Sequence, residues 1–438
     1  MKRSILTWSA AALLACAAGA VLAAVTPAVA LDALTLAAAE QLFAQRNREL
    51  QLAQRSLEGA EADRISAAAR PNPTLSVGTS NIIRQFPPGY EHNSLSRHFA
   101  TQVGVSQTFE RGNKRELRMD AAEYNLQATR GDAAEVGRQQ RLALHAAYYE
   151  LMLTQERARI SQENVQLYGR TLDAARLRLK AGDVSPADVS RISVDALRAQ
   201  NDARAAQGER EKAQDALAYL IGAEREARGI RAADRLPAAA PLPPVANLDE
   251  ILQRRPDVAA AERRVRAAEK SRDLARSLRS RDVTVGVQFT HSPVDPVANG
   301  TSANYWGLGV SVPLFVNYEY EGEIRKAEVE LAAAQDGLER VRALAVGEIG
   351  RARADVEAAA DRLVRFRGEL AKDAERAAEA AEFAYAKGAL GVIDLLDARR
   401  QLYAVRLEAA AAGADYARAL AAWTAAVTPY NAATEERR

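Results

Sequence analysis

Residues Tyr305–Phe315 read Y-W-G-L-G-V-S-V-P-L-F. Trp306, Leu308, Val310 and Val312 alternate with Tyr305, Gly307, Gly309 and Ser311. Alternation at period two marks a strand with one apolar face and one small or polar face. Three further stretches carry the pattern: Pro73–Ser80, Phe99–Phe109 and Arg281–Thr290. In the last, Val283, Val285, Val287 and Phe289 face one way, and Asp282, Thr284, Gly286 and Gln288 the other. A lone strand leaves its backbone groups unpaired, so these four need partners.

The surrounding chain is rich in Ala, Arg, Glu and Leu and reads as helix. Of its 438 residues 48% are hydrophobic but only 5% aromatic. Large side chains for a thick core are scarce, so long helices in narrow seams are expected. The fold class read from this pattern is mainly α with a small β part. Leu36–Ala69 reads as one helix, stopped by Pro71 and Pro73. Residues 113–181 read as a very long helix with two heptad stripes. One is Leu144, Leu151, Ala158, Val165, Leu172 and Leu179; the other is Ala146, Leu153, Ile160, Leu167, Ala174 and Ala181. Stripes two residues apart lie on nearly opposite sides, so this helix calls for a neighbour on each, as in a wall or ring. Gly182-Asp183-Val184 breaks it. Ser185 as N-cap, Pro186 in the first turn and Asp188 in a capping box restart it as a return helix over 186–221.

The pattern then repeats. Leu75-Ser76-Val77-Gly78 matches Val283-Thr284-Val285-Gly286 at an offset of 208, and Gly182 and Asp188 match Gly388 and Asp394 at 206. Two copies of one unit are expected, 31–236 and 247–429, joined by a Pro-rich linker at 237–246 and followed by a polar tail at 430–438. In the second copy the strands fall near 281–290 and 305–315, the long helix near 319–387 and the return helix near 392–427.

The first 30 residues read as an export signal: Lys2 and Arg3, an apolar run from Ile5, and Ala28-Val29-Ala30 as the cleavage site. Cys16 in Leu13-Leu14-Ala15-Cys16 offers the alternative of a lipidation box. Cleavage after Ala30 leaves no cysteine, hence neither disulfide nor thiolate metal site. It also removes two of the 59 basic residues, leaving parity with 57 acids. That balance argues against a nucleic-acid binder. After the signal no apolar run reaches the roughly 18 residues of a membrane helix. A closed barrel remains open as a way across. Four strands cannot close one, since small barrels need about eight. Three protomers supply twelve strands of bilayer-crossing length, with apolar faces toward lipid and Gly, Ser, Thr and Gln toward a wet lumen. The rival readings are a soluble sandwich edge and a periplasmic coiled-coil scaffold without a pore.

Arg255-Pro256-Asp257-Val258 with Ala261-Glu262, Val312-Pro313-Leu314-Phe315 and the paired hairpin tips together resemble the TolC-like outer-membrane efflux protein family, over almost the whole mature chain. The resemblance implies tandem helical hairpins in an α-barrel, and four strands per protomer in a trimeric twelve-stranded outer-membrane β-barrel. It implies a homotrimer that docks on a periplasmic adaptor protein and an inner-membrane RND transporter. Phe109-Glu110-Arg111-Gly112-Asn113-Lys114-Arg115 with Arg118 is similar to the "GGKR…R" segment of the heavy-metal (cobalt–zinc–cadmium) branch, with Asn113 where a second Gly is usual. Drug or protein export stays open as the alternative cargo.

No enzyme signature and no cofactor motif stands out. His92, His98, His145 and His291 form no i, i+4 pair, which argues against a bound metal. Tyr385, Gly388, Asp394 and Asp397 match tip positions that resemble the family's periplasmic gate. Asp394 and Asp397 share one helix face. Threefold symmetry would make of them two rings of carboxylates attractive to cations. The plainer reading is that both complement the helix N-terminus after Gly391. Asp188 is expected as a cap that also braces Tyr385. The turns at Gly182, Asp183, Gly388 and Ala389 are the expected adaptor contacts.

Overall fold

In this computed structural model the described residues are 30–80, 99–242, 247–292 and 302–428. The signal segment with Cys16, the loop holding His92 and His98, the end of the linker and the polar tail lie outside them.

Four strands form one antiparallel sheet in the order β1 (Thr74–Ser80), β2 (Ala100–Phe109), β3 (Val283–Ser292) and β4 (Ala303–Ser311). The register pairs like with like. Val103 meets Phe289 and Val105 meets Val287 on one face, and Val287 and Phe289 continue to Leu308 and Trp306. That face is open: Leu308 is 83% and Trp306 77% exposed. A row of exposed valine, leucine and tryptophan fits the outward band of a membrane barrel and does not fit the inner face of a sandwich, which would be covered. The opposite face is small and polar. A Cβ on Gly104 would stand 2.9 Å from the Ser76 hydroxyl, and one on Gly307 would stand 3.1 Å from Gln288. β4 stops two residues short of Pro313, which has no N–H to give a ladder.

Nine α-helices carry the rest of the described chain: α1 (Leu36–Arg46), α2 (Arg48–Ala68), α3 (Lys114–Ala181), α4 (Pro186–Ile221), α5 (Leu248–Arg254), α6 (Pro256–Ser277), α7 (Glu321–Arg365), α8 (Ala371–Ala386) and α9 (Val392–Val427). At 68 residues α3 spans about 100 Å. Among the described residues no helix is long and apolar enough to cross a membrane. α3 packs on α2 and α6 and on α4 and α9. The second stripe is only partly covered: Leu153 and Ile160 are buried, whereas Ala174 and Ala181, toward the tip, are exposed.

Two expected helices are interrupted. The stretch 36–69 divides at Asn47, whose ψ of 128° is extended. Asn47 is buried, accepts from Leu50 N–H at 3.1 Å and donates to the Leu220 carbonyl at 3.1 Å. It caps α2 while pinning it to α4. The second long helix is broken by a π turn at Phe366–Leu370, where Gly368 leaves helical geometry at ψ −115°.

Among the described residues the core is three clusters rather than one. Leu34, Phe43, Leu144, Tyr148, Leu217 and Ile221 pack in the first half. Ile349, Val356, Leu363, Tyr416 and Trp423 pack in the second. The third joins the halves, setting Tyr168, Ala175, Ile192 and Ala196 against Val392 and Leu396.

The Arg255-Pro256-Asp257 run is a buried knot. Arg255 bonds both Asp257 oxygens at 3.0 and 2.8 Å and reaches Glu348 Oε2 at 2.6 Å. Arg138, from α3, takes Glu348 Oε1 at 2.8 Å and Glu135 at 2.7 Å. Both guanidiniums also cap the end of α9, through the carbonyls of Ala425 and Ala426. Burial alone would raise the pKa of Glu348. The two guanidiniums outweigh it and hold the carboxyl below its usual range. His145 is a seam residue, with Nε2 2.7 Å from Glu40 Oε1.

Candidate gate at the helical tips

The two hairpins turn by one device. Gly182 takes φ +85° and Gly388 φ +75°, a region glycine enters without strain. Asp183 N–H returns to Arg178 O at 2.9 Å and Gly182 N–H to Leu179 O at 3.1 Å. Ala389 N–H returns to Ala384 O at 2.9 Å and Gly388 N–H to Tyr385 O at 3.0 Å. These are paired Schellman closures, and they leave Gly182, Asp183, Gly388 and Ala389 exposed at one end of the helices.

The restarts differ. Ser185 Oγ accepts from Asp188 N–H at 3.1 Å and donates to Asp188 Oδ2 at 2.8 Å. Asp188 also lies 3.5 Å from Arg191. Gly391, at the head of α9, has no side chain to cap with, and Asp394 stands exposed in the first turn. Asp397 is exposed one turn on and bonds Arg400 at 3.1 Å.

Tyr385 packs beside the third cluster, its ring 5.2 Å from the Arg178 guanidinium. Its hydroxyl is buried and has no hydrogen-bond partner among the described residues. The expected brace from Asp188 to Tyr385 is therefore not made within the protomer, since Asp188 is engaged by Ser185 and Arg191.

The links across the tip come from residues that sequence reasoning missed. Arg400 closes on both oxygens of Asp195, at 3.0 and 2.7 Å. Asp195 is buried on α4. Burial would lower the Arg400 pKa, but the Asp195 carboxylate outweighs it and raises it. Arg399, also buried, donates to Thr171 Oγ1 on α3 and to Glu382 at 3.0 Å on α8. The available signal was Asp195 one heptad beyond Asp188, with two arginines just after Asp397. Neither spacing names its partner.

The Phe109–Arg118 segment serves the other end of the helices. Gly112 and Asn113 both take left-handed φ, 75° and 56°. Lys114 bonds Asp282 and the Ser280 carbonyl, each at 2.8 Å. Arg115 and Arg118 bond the carbonyls of Ala67, Ala68 and Ala69 at the end of α2. Arg118 also grips Glu110 at 2.8 Å. These side chains clamp the strand-to-helix junction. Among the described residues no group of three or more His, Cys, Asp or Glu is arranged to hold a metal ion.

Comparison with known proteins agrees with this architecture. The cobalt-zinc-cadmium resistance protein CzcC of Cupriavidus metallidurans is 25% identical over 383 residues, 87% of each chain. The outer-membrane channel OprN matches with a TM-score of 0.76 at 23% identity, over 90% of each chain. CusC matches at 0.74 and 18%, over 90% of this chain and 91% of that one. The fold is thus that of a channel protomer, an α-barrel wall carrying a share of a β-barrel. The family model described as outer membrane efflux protein matches residues 40–223 and 247–427, and with a helical wall and a four-stranded share of a barrel between those limits, the chain belongs to the outer membrane efflux protein family.

Proposed function

We propose that three copies of this chain build the exit duct of a tripartite efflux pump. Each copy is two units, 31–236 and 247–429, and the twelve pooled strands cross the outer membrane. The helices continue as a tunnel into the periplasm, where the tips at Gly182–Asp183 and Gly388–Ala389 meet a periplasmic adaptor and, through it, an inner-membrane RND transporter. The observation that carries this reading is the sheet. Its outer face carries two rows that are apolar across all four strands, Leu75–Val105–Val287–Leu308 and Val77–Val103–Phe289–Trp306, and its edge strands β1 and β4 each have a single neighbour among the described residues. Four strands are about half of the smallest closed barrel, and a bilayer tolerates no open edge.

The cargo we propose is heavy-metal cations. Support comes from the likeness to CzcC and from Asp394 and Asp397, exposed on one face of α9. As in other pores, such groups would attract cations without holding them. Drug or protein export is the second reading, and one observation favours it. Lys114, Arg115 and Arg118 are committed to the strand–helix junction, so the segment that resembles the metal branch has an architectural role for any cargo.

The experiment is complementation of a deletion strain, together with planar-bilayer recording of the purified protein. Loss of cobalt, zinc or cadmium tolerance, restored by the gene, is expected. Unchanged metal tolerance with new drug sensitivity overturns the cargo. Release from cells without detergent, with no conductance, overturns the duct and leaves the scaffold.

A further inference from the structure

An arginine stands two residues beyond the paired ends of β2 and β3. Phe109 pairs with Val283 in the ladder. The ladder ends at that pair, and Arg111 and Arg281, two residues beyond it in each segment, line one cleft. Like charges lining one cleft repel. Among the described residues neither guanidinium has a carboxylate partner. Arg111 engages Asp282 through its backbone N–H, at 2.9 Å. The Arg281 guanidinium lies 5.5 Å from the centre of the Phe315 ring. Arg279 stands beside them and donates to the Glu319 carbonyl at 3.1 Å.

Arg111, Arg279, Arg281, Phe315 and Glu319 line a cleft of about 340 Å³. The nearby Lys114 and Asp282 already satisfy each other at 2.8 Å. Three arginines and one acidic residue, Glu319, line the cleft. Leu314 and Val316, the residues on either side of Phe315 in the chain, are 74% and 81% exposed.

We propose that this cleft binds the phosphate of a phospholipid headgroup in the leaflet nearest the helical tunnel. A phosphate between Arg111 and Arg281 removes their repulsion and matches the planar guanidinium fork. The arginine stems lie along apolar surface while their heads reach the headgroup layer, and the Phe315 ring suits the same depth. Inorganic phosphate offers the same oxygens. The lipid is chosen because its acyl chains cover the exposed apolar rows that begin at the cleft.

This inference rests on the outer-membrane reading above. The test is native mass spectrometry of the detergent-solubilised full-length oligomer titrated with phosphatidylglycerol, with inorganic phosphate as competitor. The variant carrying Arg111→Gln, Arg279→Gln and Arg281→Gln should lose about tenfold in lipid affinity, and millimolar phosphate should displace little lipid from the wild type. Equal affinity in the two proteins overturns the assignment. So does displacement by millimolar phosphate, which marks a small-anion site. Should the triple variant not assemble, Arg281→Gln alone is measured, with about threefold loss expected and no loss overturning the proposal. A protein that needs no detergent sinks the duct itself, whereas a detergent-dependent oligomer with unaltered lipid binding sinks only this site.

Discussion

The guanidinium of Arg400 holds both carboxylate oxygens of Asp195, 205 residues away in the chain, at 3.0 and 2.7 Å. It joins α9 to α4 about two turns above the exposed turns. Arg400→Gln leaves Asp195, 6% exposed against 52% for Arg400, with only the more distant Arg198 guanidinium at 3.8 Å among the described residues. Half of the pair faces water, so the cost is about 1–2 kcal/mol rather than that of a fully buried pair. We expect larger conductance in planar bilayers. The double variant with Asp195→Asn should recover part of the lost stability in thermal unfolding. Wild-type conductance in both would remove the pair from the closing contacts.

Asp394→Ala with Asp397→Ala should lower the cation-to-anion permeability ratio while leaving assembly intact, because both side chains are exposed. The reversal potential across a salt gradient reads this directly. An unchanged ratio assigns the two acids to the helix N-terminus alone.

Glu348→Gln should be costly. It removes the carboxylate shared by Arg138 and Arg255, whose side chains are 7% and 4% exposed; each keeps one acid, Glu135 and Asp257 respectively, so the loss is that of charge-assisted hydrogen bonds, about 1.5–3 kcal/mol. The pKa of Glu348 and that of Asp257 are both held below their ordinary values. Their stabilisation is therefore present above the unfolded pKa of about 4 and is lost as pH falls through the lower folded value. Denaturant midpoints measured from pH 7 down to pH 3 should show wild-type stability falling at the acid end. The variant should fall less steeply there.

Asn113 stands in left-handed backbone at φ 56°, where asparagine is at home and β-branched residues are not. Asn113→Gly should change stability by less than about 0.5 kcal/mol, and Asn113→Val should cost about 1–2 kcal/mol. Gly112 is stricter, since a Cβ there would lie 2.5 Å from the Ser280 hydroxyl. Gly112→Ala should reduce the yield of assembled protein. Equal yields for all three variants would mean the junction accommodates them.

The strands were legible because alternation survives inversion: apolar residues facing lipid follow the same period as those facing a core. The hairpin turns were legible because glycine in left-handed backbone is a local requirement, as at Gly182 and Gly388. The break at Asn47 was not, since it depends on the Leu220 carbonyl, 173 residues away. The π turn was hidden because Phe366–Leu370 contains ordinary helix formers around one glycine. The links Asp195–Arg400 and Thr171–Arg399 were unreadable for a different reason. Charged residues at helical spacing are usually solvated, and only the packing of α9 on α3 and α4 selects these from the rest.

The π turn has an effect beyond its own five residues. One added residue advances the helix by about 100°. Ile349, Val356 and Leu363 keep a seven-residue beat along α7 and are buried, but the next beat, Leu370, is 45% exposed, and the buried residue beyond it is Ala378. Wall and tip are thus geared out of phase, like two cogs a tooth apart on one shaft. Torque on α8 from a docked partner would meet a slipped coupling at Gly368 rather than a rigid rod.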